Sequence, residues 1–313
     1  MENQKDDILL KDRSSRTCIG AGYRLFTGNF KKIFRYTWFT AVIYGIVNGI
    51  YTSYFVTEYP KMLLAMKTGQ LLVPENTGHT VLMSLSTLLM LLATVWLYSH
   101  MSSLLYQHRT EGVITVSARL FQIHFDWRAI LRVLAWALVC FVLSLIISAL
   151  LGGVAYYAIT KQSLTLFGFA GLLGLAVLLL MVPLCYPAMH YLTTRDTKLF
   201  KILGSDYVAG LRHWGMLFAV AFVTVILSSV ILTLTTLPAI ILSIANIKAQ
   251  TGVIMGDPLG MPDYIGKLTL LVFTLAGFIQ AYVILSIFFP AYYAAGSIET
   301  QEQERNEKKN SLY

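Results

Sequence analysis

Six stretches of this chain run for 20 residues or more without a single Asp, Glu, Lys or Arg: residues 36–55, 80–99, 133–159, 164–190, 214–245 and 268–294. A bilayer's hydrocarbon core is about 30 Å thick, and a helix rising 1.5 Å per residue crosses it in about 20 apolar residues. Charged residues make up 13% of the chain, where a water-soluble domain carries about 25%. That is too little charge to cover a soluble globule of this size. The expected fold is all-α: a polytopic membrane protein with six transmembrane helices. The expected organisation is one transmembrane domain, 24–296, between polar tails 1–23 and 297–313.

The connecting segments alternate in charge. Lys and Arg number eight in residues 1–35, four in 101–132, four in 191–213 and three after 294, nineteen in all. The intervening connections carry Lys61 and Lys67, then Lys161, then Lys248 and Lys267, five in all. By the positive-inside rule this imbalance predicts both termini in the cytoplasm. The net charge of +8 therefore reads as membrane orientation, and nucleic acid is not an expected partner.

Three segments leading into the odd-numbered spans share a build. The first has Arg24-Leu25-Phe26, then Arg35 and Trp38; the second Arg119-Leu120-Phe121, then Arg132 and Trp136; the third Lys198-Leu199-Phe200, then Arg212 and Trp214. Tyr186-Pro187-Ala188 and Phe289-Pro290-Ala291 end two of the returning spans alike. The pattern predicts three helix-pair units, each preceded by an interfacial helix. On a helical wheel Arg24, Lys31, Lys32 and Arg35 fall on one side, and Phe26, Phe30, Ile33 and Phe34 on the other. Such a helix lies in the headgroup plane with its cations toward lipid phosphates. The four cations are thus the candidate lipid-headgroup contacts.

Small residues at helical spacing mark candidate packing faces, because helices in lipid associate through close backbone approach. Gly45 and Gly49 supply one face, Ser148 and Gly152 a second, Gly171 and Gly174 a third. The short connection around Lys161 makes the third and fourth spans antiparallel neighbours. Asn48 and Gln280, the most polar groups deep in spans, are expected to find interhelical partners, and Pro183, Pro187, Pro238 and Pro290 to kink their helices.

No catalytic, cofactor-binding or metal constellation is legible. The spans hold no charge of the kind that marks ion coupling. His79, His100, His108, His124, His190 and His213 form no His-x-x-His or His-x-x-x-His pair, so helical metal-ligand spacing is missing. No Gly-x-Ser nucleophile setting or phosphate-cradling glycine loop occurs. Gly256-Asp257-Pro258 is ordinary turn chemistry. Cys140 and Cys185 lie in apolar runs and are expected to be buried, inert thiols.

Three helix pairs suggest the mitochondrial carriers, but the Pro-x-[Asp/Glu]-x-x-[Lys/Arg] signature of that family is absent: Pro60 precedes Lys61 and Met62, and Pro238 precedes Ala239 and Ile240. The stretch Gly22-Tyr23-Arg24-Leu25-Phe26, followed by Phe30, Lys31, Lys32, Ile33 and six spans, resembles a group of uncharacterised bacterial six-helix inner-membrane proteins. Some of that group bear a carotene-oxygenase label, which needs converging iron ligands that this histidine set does not offer. The resemblance implies a multi-pass protein of the bacterial cytoplasmic membrane. The expected function is a non-catalytic scaffold or accessory protein whose partners are membrane lipids and other membrane proteins or a second copy. The alternative is a transporter or lipid-translocating protein working without intramembrane charge.

Overall fold

The computed structural model describes residues 8–68, 77–115, 125–256, 262 and 264–311. Among these, every regular element is helical: α1 (Ser15–Gly28), α2 (Phe30–Thr68), α3 (Thr77–Glu111), α4 (Trp127–Thr160), α5 (Leu164–Met181), a 3-10 turn (Val182–Leu184), α6 (Cys185–Thr193), α7 (Leu199–Arg212), α8 (Trp214–Ile254) and α9 (Tyr264–Asn310). Six segments are long and apolar enough to cross a membrane: Phe30–Val56, Val81–Glu111, Trp127–Thr160, Leu164–Thr193, Trp214–Val253 and Tyr264–Asn310. The chain is an all-α, multi-pass membrane protein. The last helix continues well beyond its apolar run because Glu, Gln, Lys and Arg are themselves strong helix formers.

Proline acts unequally. Pro183 sits in the 3-10 turn that separates α5 from α6, whereas α8 and α9 continue through Pro238 and Pro290. The α4–α5 connection is Lys161, Gln162 and Ser163. Gln162 takes a left-handed conformation (φ 47°), and Ser163 caps α5 by accepting from the Leu166 amide at 3.4 Å. Such a tight turn forces α4 and α5 side by side.

The chain divides into two compact units. The first comprises Met1–Ile33, Ser99–Val225 and Ser286–Tyr313; the second comprises Phe34–Tyr98 and Ile226–Leu285.

In the first unit, α1 packs on the proline-bearing part of α9. Cys18, Ala21, Gly22 and Leu25 are buried, and a Cβ at Gly22 would lie 2.6 Å from Pro290 Cα and 2.7 Å from the Phe289 carbonyl carbon. Only glycine permits that approach. Phe26 meets Phe289 edge-on at 5.2 Å. Burial pushes the Cys18 thiol up to about 11, against the opposing pull of the Arg13 charge, which leaves it inert.

The third lead-in repeats this build. α1 and α7 are each 14 residues long. A single residue separates each from its span: Asn29 (φ −107°, ψ 12°) and His213 (φ −100°, ψ 24°). A Cβ on Gly210 of α7 would lie 2.5 Å from the Pro183 carbonyl oxygen. Thus α1 rests on the sixth span and α7 on the fourth, each on the returning span of the preceding unit if the three are read as a cycle. The second lead-in, Arg119 to Phe121, lies outside the described residues.

The structure departs from the sequence reading at four points. The break at Asn29 divides the lead-in, so Arg24 and Lys31 belong to different helices. Its apolar side is divided: Ile33 is fully buried and Phe26 packs on Phe289 of α9, while Phe30 and Phe34 stay exposed. The segments read as tails are also packed. Leu9 fills the notch at Gly296, the Arg13 amide donates to Ser297 Oγ at 2.9 Å, and Ser297 and Ile298 are fully buried. Cys140, expected to be buried, is exposed on α4.

In the second unit, α2 and α9 meet through small residues. A Cβ added at Gly45 would lie 2.8 Å from the Thr274 carbonyl oxygen and 3.0 Å from the Phe278 nitrogen; one at Gly49 would lie 3.0 Å from the Thr274 nitrogen. Gly277 of α9 receives Asn48 in return, and the Asn48 amide points at the Phe273 carbonyl at 3.5 Å. Val56, Ala239, Phe273 and Ala276 form a buried cluster beside this contact.

Candidate functional site

The polar residues of the first unit converge on the ends of its helices. Arg132, in the second turn of α4, reaches the C-terminus of α6. Its Nη1 donates to the Tyr191 carbonyl at 2.5 Å and to the Thr194 carbonyl. Its Nη2 donates to the carbonyls of Arg195 at 2.8 Å and Thr197 at 2.9 Å. The guanidinium lies over the Tyr191 ring at 4.5 Å. Terminal carbonyls lack intrahelical donors, and one planar fork satisfies four groups of a single turn-and-loop.

Asp126 holds the same corner from the other side. It caps α4 by accepting from the Ala129 amide at 3.3 Å, accepts from Ser103 Oγ at 2.9 Å, and ion-pairs with Arg195. Arg195 in turn stacks over Tyr106 at 4.1 Å. Ser102 Oγ donates to the Leu192 carbonyl at 2.6 Å.

Acidic residues of α9 and α7 complete the arrangement. Glu299 accepts both oxygens' worth of contact from Arg109, at 2.6 and 2.8 Å. Glu302 receives Arg212 at 2.8 Å and His213 at 3.2 Å. Asp206 of α7 meets His190 Nδ1 of α6 at 2.5 Å. His108 and Tyr292, both buried, share a hydrogen bond of 3.0 Å. Charge-assisted bonds of this kind contribute about 1.5–3 kcal/mol where they are shielded from water, and less where exposed.

Such an arrangement can hold helix ends in register. Among the described residues, no three of His, Cys, Asp or Glu converge as metal ligands do. His190 is oriented by Asp206 and by the parallel ring of Tyr186, a structural setting for an imidazole. His100 is buried. His124 lies outside the described residues, as do Asp257 and Pro258.

The four headgroup candidates divide. Arg24 and Lys31 are exposed; Lys32 Nζ donates to the Ile114 carbonyl at 3.0 Å and so fastens the segment after α3. Arg35 belongs to the second unit. The packing candidates divide as well. Gly45 and Gly49 are in backbone contact, as described above. A Cβ added at Gly174 would meet only the Leu151 side chain, at 3.8 Å; one at Gly152 or Gly171 would meet nothing within 4 Å, and Ser148 is exposed.

Sequence reasoning missed Glu299 and Glu302 by placing them in a tail. Their spacing of three on a run of helix formers was the available signal, since i and i+3 share a helix face. No family model matches this chain, nor does any curated protein or solved structure.

Proposed function

We propose that this chain is a non-catalytic scaffold or accessory protein of the bacterial cytoplasmic membrane, and that its α4–α5 hairpin receives a transmembrane helix of another membrane protein. The observation that carries this reading is a contrast between glycines. Gly22, Gly45, Gly49, Gly210 and Gly277 all stand against other parts of the chain at distances that exclude a side chain, whereas a Cβ added at Gly152, Gly153, Gly168 or Gly171 would meet nothing within 4 Å; Gly20, Gly28, Gly204, Gly215 and Gly266 are open in the same way, but only the hairpin gathers four such glycines on two adjoining spans. A helical glycine costs about 1 kcal/mol relative to alanine. Close backbone approach offsets that cost at the first set. At the hairpin the chain itself provides no such return, and a lipid-facing position is served equally well by leucine.

The hydroxyls of α8 favour this reading over transport, with buried Ser228 Oγ as the exception that has no hydrogen-bond partner. Thr224, Ser229, Thr233, Thr236, Ser243 and Thr251 each donate to a carbonyl of their own helix. These hydroxyls are satisfied by their own backbone and need no polar path beside them.

Photo-crosslinking residues placed at Gly152 and Gly171 in native membranes test the reading. The expected product is a discrete adduct with one other membrane protein, lost when Gly168→Leu is added. Adducts with lipid alone, or with a second copy of this chain, would overturn it.

Orientation belongs to the same reading: nineteen basic residues against five place both termini in the cytoplasm. In a cysteine-free background, single cysteines at Glu75 and Asp263 should react with an impermeant reagent in intact cells, and those at Lys5 and Lys308 should not. Labelling at 308 from outside would reverse the assignment.

A further inference from the structure

Beside the first turns of α1 lies a cleft of about 380 Å³ lined by Lys11, Asp12, Arg13, Ser14, Thr17, Ala21 and Arg24. We infer that this cleft is a binding site for a phosphate monoester, carried either by a lipid headgroup or by a small soluble molecule. It is separate from the α4–α5 hairpin and stands or falls independently of the helix-docking reading.

The lining brings three cations and one carboxylate to a single concavity, a formal balance of +2 that matches a dianionic phosphomonoester. The carboxylate is drawn toward α9: Asp12 Oδ1 accepts from Gln301 Nε2 at 2.5 Å and from Ser297 Oγ at 3.4 Å. Those bonds also fix one wall of the cleft. Arg13 fixes another. Its guanidinium donates to the carbonyls of Ile8, Leu9 and Lys11 and lies over the Tyr293 ring at 5.0 Å. Carbonyls and a ring face hold the guanidinium in place while leaving its positive charge in the wall.

Lys11 and Arg24 are exposed on their segments; Arg24 Nε donates to the Gly20 carbonyl at 3.4 Å, and both side chains bring their charge to the lining. Thr17 Oγ1 donates to the Ser14 carbonyl at 2.8 Å and shares a 3.0 Å hydrogen bond with Ser14 Oγ, so Ser14 is the hydroxyl that can turn its one proton to a phosphate oxygen. Guanidinium and ammonium groups together are the usual means of holding a phosphate, one by its fork and the other as a point charge. The first turn of α1 carries no acidic residue, so the field at the cleft is not opposed from the helix.

The test uses the full chain in phosphatidylcholine nanodiscs doped with phosphatidic acid or, at matched mole fraction, phosphatidylglycerol, whose headgroup is a phosphodiester. Native mass spectrometry reads retained lipid, and calorimetry in neutral detergent reads binding of inorganic phosphate. The variants are Lys11→Gln and Arg24→Gln, each made singly, and, as a charge-matched control, Arg16→Gln, which lies on α1 outside the lining. Thermal unfolding verifies that each variant keeps its fold.

Preferential retention of phosphatidic acid, reduced about fivefold per lining cation and left unchanged by Arg16→Gln, would assign the site to a lipid. Inorganic phosphate binding with the same dependence, and no preference between lipids, would assign it to a soluble phosphate. Equal effects of Arg16→Gln and the lining variants, or no selective binding of either probe, would overturn the proposal.

Discussion

Gly45→Leu is expected to lower the stability of the protein substantially. A Cβ at Gly45 already meets the backbone of α9, 2.8 Å from the Thr274 oxygen and 3.0 Å from the Phe278 nitrogen. These are backbone atoms of a helix and cannot rotate away as a side-chain tip would. Leucine would therefore force α2 and α9 apart and disturb the adjacent Asn48–Gly277 contact. Overpacking of this type costs about 1–3 kcal/mol, and more where the backbone must shift. Thermal unfolding in neutral detergent should show the midpoint falling by several degrees. Gly171→Leu in the purified chain should leave it unchanged, since a Cβ added at Gly171 would meet nothing within 4 Å. An unchanged midpoint for Gly45→Leu would refute the close-packing role.

That pair of glycines also shows how far the sequence could be read. Small residues at four-residue spacing announced a packing face at Gly45 and Gly49 and equally at Ser148 and Gly152, and three-residue spacing did so at Gly171 and Gly174. Which faces meet a helix depends on long-range arrangement that spacing does not encode. The spans were legible because excluding charge from 20 or more consecutive residues has few other physical explanations. The α1–α2 break was legible in part: Gly28-Asn29 is a pair that commonly ends a helix, and it interrupts what the hydrophobic wheel treated as continuous. The polar clasp was hidden for a different reason. Glu299 and Glu302 look like tail residues until α9 is seen to continue to Asn310, and their partners Arg109 and Arg212 lie far away in sequence. Leu9 seated against Gly296 is hidden in the same way, for it joins the two ends of the chain.

Arg132 offers the sharpest test of the clasp itself. Its guanidinium donates to four carbonyls, those of Tyr191, Thr194, Arg195 and Thr197, and so fixes the end of α6 and the loop into α7. Arg132→Ala removes all four donors at once. Water can replace part of what is lost at this half-buried site, so the expected cost is about 2–4 kcal/mol rather than four full charge-assisted bonds. Arg132→Lys should recover little, because a single ammonium cannot span carbonyls that a planar fork bridges. Two measurements separate loss of the clasp from general unfolding. The thermal midpoint should fall, and limited proteolysis should open the chain at residues 194–198 before it attacks the α8–α9 side. Rescue by lysine would show that charge alone was needed there. Resistance of 194–198 to protease in Arg132→Ala would show that the loop is held by the Asp126–Arg195 pair without the arginine fork.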